Sequence, residues 1–179
     1  MKLASFEVDT SVGRTRRVGV ENGGSLIDVT AAHAAHLEAR GDQSPTEIAT
    51  TVTPPDMLQF LRRGERAIEA TAEAVEFVAD RDVTAPNGAR TRYGLDEVRL
   101  LSPLPRPNSI RDFMVFEEHV QKSLEGEIPD VWYDIPIYYK GNPDSIVHPN
   151  EAVEWPDYTD KLDYELELCA IVGKGGRDI

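Results

Sequence analysis

The 179-residue chain has one cysteine, few lysines and no long apolar run. A single cysteine, Cys169, excludes an internal disulfide framework and any cysteine-based zinc cluster. Its place in an alternating apolar stretch reads as a small buried strand residue. Charges interrupt every apolar stretch, so neither a transmembrane helix nor a membrane partner is expected. The opening Met1-Lys2-Leu3-Ala4-Ser5-Phe6-Glu7-Val8 lacks the apolar region of a secretory signal, which makes the cytoplasm the expected location. Basic residues are the largest shortfall. Lys and Arg total 19 against 32 Asp and Glu, a net charge of −13, and only five of the 19 are lysines. Phosphate backbones need a basic surface, so nucleic acid is excluded as a partner. The acids are spread along the chain rather than gathered in a tail. Such a surface keeps a protein hydrated and dispersed. It reads either as adaptation to high salt or as an ordinary acidic cytosolic protein.

What is present divides in two. Residues 2–8 and 16–20 alternate as strands around turn chemistry at Asp9-Thr10-Ser11-Val12-Gly13, a hairpin pattern. Glu21-Asn22-Gly23-Gly24 marks a second turn before a strand at 25–29. Asp28 or Thr30 can cap a helix over Ala31–Ala39. His33 and His36 lie on it three apart, with no further ligand in view, and read as surface or helix-edge histidines. Pro54-Pro55-Asp56 opens a helix that Gly64 breaks, and a helix rich in alanine and glutamate follows to Ala79. Residues 80–95 lose periodicity and read as a linker. The expected organisation is a small N-terminal α+β domain with its linker over 1–95, then a second domain beginning at 96.

The chemically suggestive residues lie in the second part. Ser109 or Asn108 offers an N-cap, and the stretch after it reads as a helix in which Asp112, Val115, Phe116 and His119 share a face at i, i+3, i+4 and i+7. Asp163-Tyr164-Glu165-Leu166-Glu167-Leu168-Cys169-Ala170-Ile171-Val172 reads as a strand with Asp163, Glu165 and Glu167 on one face. Carboxylates that close repel one another unless they are solvated or bound to a hard divalent cation. Pro136-Ile137-Tyr138-Tyr139-Lys140-Gly141 joins aromatics, a turn and a cation suited to a carboxylate.

Together and in this order, these segments resemble the fumarylacetoacetate hydrolase family. Arg111 to Val120 is similar to its Arg-Asp-Phe-x-x-Phe-Glu-x-His-Val segment, Asp163 to Lys174 to its Glu-x-Glu strand, and Pro136 to Gly141 to its substrate-contacting strand. The resemblance covers residues 98–179. It implies an α+β protein in which residues 96–179 begin a mixed β-sandwich roll. It implies Mg²⁺, or Mn²⁺ or Ca²⁺, on Glu165, Glu167 and Asp112. His119 would be the catalytic base, with Lys140 assisting, and Tyr139, Lys140 and Phe113 would contact substrate. The implied partner is a small oxoacid, and the implied full-length assembly a homodimer. The implied reaction is hydrolysis of a carbon–carbon bond in an acylpyruvate or 1,3-diketo acid. The alternatives are decarboxylation, dehydration or isomerisation of a 2-oxoacid on the same fold, or a non-catalytic acidic binding module. Two departures stand out. Family members continue past the Glu-x-Glu strand to a further metal aspartate, so this chain is expected to hold only the front part of the site. Where short-form members place a glutamate three residues after the histidine, this chain has Lys122.

Overall fold

Two hairpins start the N-terminal sheet, and the second shows how closely the sequence specifies them. Strand β2 (Gly13–Asn22) turns into β3 (Ser25–Asp28) through Gly23 and Gly24 alone, whose φ values are +58° and +82°. A two-residue turn of this hand needs left-handed backbone at both positions, which glycine adopts without a Cβ clash. With β1 (Leu3–Thr10), β4 (Arg92–Gly94) and β5 (Arg99–Leu100), these strands form an antiparallel sheet ordered β4-β3-β2-β1-β5. The computed structural model describes residues 1–124 and 126–178.

Alternation places Val18, Val20 and Ile27 on one face and Phe6, Val8 and Leu26 on the other. The first face packs on helices. Val18 and Val20 meet Val29, Met57, Phe60 and Ala67, and Ile27 meets Ala32, Ala74 and Val78. On the second face, Tyr93 of β4 and Leu100 of β5 join the same apolar cluster as Phe6, although those strands are the two edges of the sheet. The sheet is therefore curled around Phe6. Gly19 permits this, because a Cβ there would lie 2.8 Å from the Phe6 ring.

Helix α1 (Val29–Ala39) is the hub of the helical layer. Asp28 caps it by accepting from the Ala31 N–H at 3.0 Å. Its alanines let α2 (Pro45–Val52) and α4 (Glu65–Val78) approach closely. Helix α3 (Met57–Arg62) is capped by Asp56. In α4 the buried residues Ala67, Thr71, Ala74 and Val78 recur at helical spacing, as expected. His33 departs from its expected surface position. It is buried, with Nδ1 3.0 Å from Thr53 Oγ1. That hydroxyl donates to the Ala49 carbonyl, so its oxygen is left to accept from the imidazole N–H. His36 stacks on Phe77. The stretch read as a linker also departs from expectation. Residues 92–94 return to the sheet as β4, an element too short to show a period.

The chain forms two compact units, residues 1–105 with those from 147 onward, and residues 106–146. The second unit holds a ribbon of β6 (Ile110–Phe113) and β7 (Tyr138–Gly141), with α5 (Glu117–Ser123) and α6 (Val131–Asp134) between them. The fold is α+β throughout, as expected from the sequence. Among the described residues no helix is long and apolar enough to cross a membrane.

Candidate active site

The ribbon gathers most of the candidate residues. Ile110 pairs with Gly141, Arg111 with Lys140, Asp112 with Tyr139 and Phe113 with Tyr138. Directly opposed residues of an antiparallel pair point to the same face. Asp112 therefore shares a face with Tyr139, and Phe113 shares the other with Lys140. The second face is organised by its aromatics. The Phe113 and Tyr138 rings lie 5.2 Å apart, and the Arg111 guanidinium lies 5.4 Å from the Tyr138 ring centroid. Tyr139 and Lys140, adjacent in sequence, point to opposite sides.

The expected helix over 109–120 is corrected here. Asp112 lies in β6 and His119 in α5, so they share no helix face. The spacing that suggested one helix spans a strand, a short connection and a separate helix start. Ile110 and Phe113 take the ladder offered by β7, an option that local periodicity does not reveal. His119 is exposed on α5 beside buried Val120. The carboxylates nearest to it in sequence have other partners. Glu118 accepts from Lys122 Nζ at 2.6 Å, and Glu117 accepts from the Tyr133 hydroxyl at 2.7 Å. The hydrogen bond to Glu117 raises the Tyr133 pKa above the ordinary tyrosine value. Beside the ribbon, Phe113, Met114, Val115, Trp132, Tyr133 and Ile137 line a hollow of about 320 Å³. The Trp132 indole N–H there has no acceptor among the described residues.

The strand expected over 163–173 is also corrected. This stretch is irregular, with Leu166 96% and Leu168 100% exposed, and Cys169 is exposed rather than buried. A strand is stable only beside another strand, and among the described residues nothing pairs with it. Asp163, Glu165 and Glu167 are thus not held on one sheet face. Among the described residues no group of three or more His, Cys, Asp or Glu could hold a metal ion. Of the residues implied to hold Mg²⁺, Mn²⁺ or Ca²⁺, Asp112 belongs to the second unit, and Glu165 and Glu167 to an irregular stretch of the first.

A larger hollow of about 510 Å³ in the first unit is lined by Arg81, Arg90, Arg92 and Glu97 among others. Its arginines are already engaged, Arg81 with the Phe77 carbonyl. Arg90 donates two hydrogen bonds to Glu97, which holds that carboxyl at about 2. Arg92 donates to Ser25 Oγ and to the Val78 and Ala79 carbonyls at the end of α4.

Comparison with known proteins finds a family match that includes the ribbon. Residues 108–179 match the fumarylacetoacetate (FAA) hydrolase C-terminal family. Human "Oxaloacetate tautomerase FAHD2A, mitochondrial" is 28% identical over 179 residues, covering 100% of this chain and 47% of that protein. "Oxaloacetate tautomerase fahd2, mitochondrial" of Xenopus laevis is 24% identical over 181 residues, with 100% and 46% covered. "Oxaloacetate tautomerase YisK" of Bacillus subtilis (strain 168) is 34% identical over 125 residues, 63% of this chain and 40% of that protein. Over residues 108–179 the chain is thus similar to the fumarylacetoacetate hydrolase family. It spans about half the length of the curated relatives it matches.

Arg111, which the family resemblance leaves without a role, lies opposite Lys140. The available signal was its place one residue before Asp112, in a segment read as a helix instead of half of a ribbon.

Proposed function

We propose that the protein, in the longest form its gene encodes, is a 2-oxoacid isomerase that interconverts the enol and keto forms of a small oxodiacid such as oxaloacetate. The observation that carries this reading is that similar proteins from animals and a bacterium share one name, oxaloacetate tautomerase. They favour the isomerase alternative over hydrolysis of a carbon–carbon bond.

The chemistry asks little of the protein. The enol loses its O–H proton, the C2–O bond becomes a carbonyl, and C3 gains a proton, with no water consumed and no group transferred. Two requirements follow. The substrate carries carboxylates at both ends, so cations must hold it, and Lys140 and Arg111 are available on one face of the ribbon. A proton must also move between oxygen and carbon, and imidazole is the side chain suited to that near neutral pH. His119 is assigned this shuttle, and Tyr139, which lies with Asp112 on the other face of the ribbon, is given no part in holding the substrate. The divalent metal implied by the family would polarise the 2-oxo group when bound.

The test follows decay of the enol absorbance of oxaloacetate, with and without added Mg²⁺, beside cleavage of an acylpyruvate. The expected result is fast tautomerisation and little cleavage, with His119→Ala lowering kcat by about 10²–10⁴. Full activity in His119→Ala would refute the shuttle, and efficient acylpyruvate cleavage would restore the hydrolase reading.

A further inference from the structure

We infer that Arg111 and Lys140 together form a two-cation site for a dicarboxylate, on the face of the ribbon opposite Asp112. The two residues are direct cross-strand partners. Side chains so opposed leave Cβ atoms about 5 Å apart, and like charges there repel. Such a pair is unusual in a chain with 32 acids and 19 basic residues, where Arg14, Arg16, Arg17, Arg40, Arg90 and Arg99 of the first unit each have a carboxylate partner. Among the described residues neither Arg111 nor Lys140 has a carboxylate partner. Arg111 donates one hydrogen bond, to the carbonyl of Ile110, at 2.6 Å.

The pair is also prepared for a ligand. Arg111 is held by that carbonyl and by the Tyr138 ring, itself packed on Phe113. A guanidinium has five N–H donors in a fixed fork, so most of its donors remain unused, as do all three of the Lys140 ammonium. A doubly charged anion would relieve the repulsion and take up these donors, with Phe113 and Tyr138 as an apolar floor. A monocarboxylate would satisfy one cation and leave the other. The site thus selects dicarboxylates over monocarboxylates, and Arg111 is the residue that makes the distinction. As a statement about substrate this rests on the oxodiacid reading above; as a binding site it does not.

The experiment therefore measures binding without turnover. Malonate and acetate are titrated into the metal-free chain at constant ionic strength, and backbone and aromatic NMR shifts are followed. Saturable shifts at Arg111, Phe113, Tyr138 and Lys140 are expected for malonate, with acetate at least about tenfold weaker. Arg111→Gln and Lys140→Met should each weaken malonate by about tenfold or more, and Arg111→Lys by less. Lys122→Gln removes the same charge elsewhere in this unit and should leave binding unchanged. Cross-strand contacts between β6 and β7 in the same spectra show that the ribbon persists in each variant. Absence of saturation with millimolar malonate, equal affinity for acetate, or an equal loss in Lys122→Gln would overturn the site. Malonate binding without tautomerase activity would refute only the proposed function, and activity without malonate binding only this inference.

Discussion

Glu118 and Lys122 form an ion pair one turn apart on α5, with Oε1 and Nζ at 2.6 Å. The lysine at the position where short-form relatives are expected to carry an acid thus engages the acid next to His119. Glu118 therefore has a partner of its own on α5. Glu118→Gln should leave the pH dependence of turnover unchanged, measured as kcat/KM against pH. Its effect on stability should be about 0.3–0.5 kcal/mol, the size of an exposed i,i+4 pair. A displaced pH limb would show that Glu118 acts on His119 after all.

Gly19 should be intolerant of even one methyl group. A Cβ there would meet the Phe6 ring at 2.8 Å, and Phe6 is fully buried at the centre of the curled sheet. Gly19→Ala should cost about 1–3 kcal/mol in urea unfolding, as overpacking does. Combining it with Phe6→Leu should recover part of that loss, because the two residues touch and their effects are not additive. Strict additivity would show that the contact is not the cause.

These relationships also show what the sequence could disclose. The first hairpins and α1, α3 and α4 were legible because local signals agree there: Gly23-Gly24, the Asp28 and Asp56 caps, and helical spacing from Ala67 to Val78. Helix α2 went unread, although Ser44-Pro45 and Glu47 are start signals, because its apolar residues are only Ile48, Ala49 and Val52. The Asp112 region misled because a strand followed by a helix can imitate one helix over seven residues. The Glu165 and Glu167 region misled differently. Alternation shows that a segment can pair, but the partner strand decides whether it does. The family was legible because it rests on residue identities in order, which tolerate errors in assigning secondary structure.

The acidic surface predicts a salt response. Carboxylates spread over the surface repel one another, and the screening length falls from about 10 Å at 0.1 M to about 3 Å at 1 M salt. The thermal midpoint should therefore rise with KCl. If the protein is adapted to high salt, the rise should continue beyond about 1 M, where simple screening is complete. A plateau below that point would mark an ordinary acidic protein. A steady fall would mean that pairs such as Glu7 with Arg16 and Arg99 outweigh the repulsion.

Asp28 predicts the pH response of the N-terminal unit. One of its oxygens caps α1 and the other lies 3.2 Å from Arg17 Nε, yet the residue is almost wholly buried. Burial raises its pKa from 3.8 to about 6, against the opposing pull of the Ala31 N–H and Arg17. The folded state therefore binds the Asp28 proton more tightly than the unfolded chain does. The stability this contributes is complete below the unfolded value and is lost as pH rises through the folded one. His33 acts in the opposite direction. Burial lowers its pKa, so its contribution is complete above 6.5 and fades as pH falls. Comparing the wild type with Asp28→Asn cancels the histidine, and the amide keeps an oxygen to cap α1. The stability of the wild type relative to the variant should increase by on the order of 1 kcal/mol between pH 7.5 and pH 5, measured by urea unfolding. A difference that stays flat, or that shrinks as pH falls, would mean that Arg17 holds the carboxylate charged and that burial is not the dominant influence.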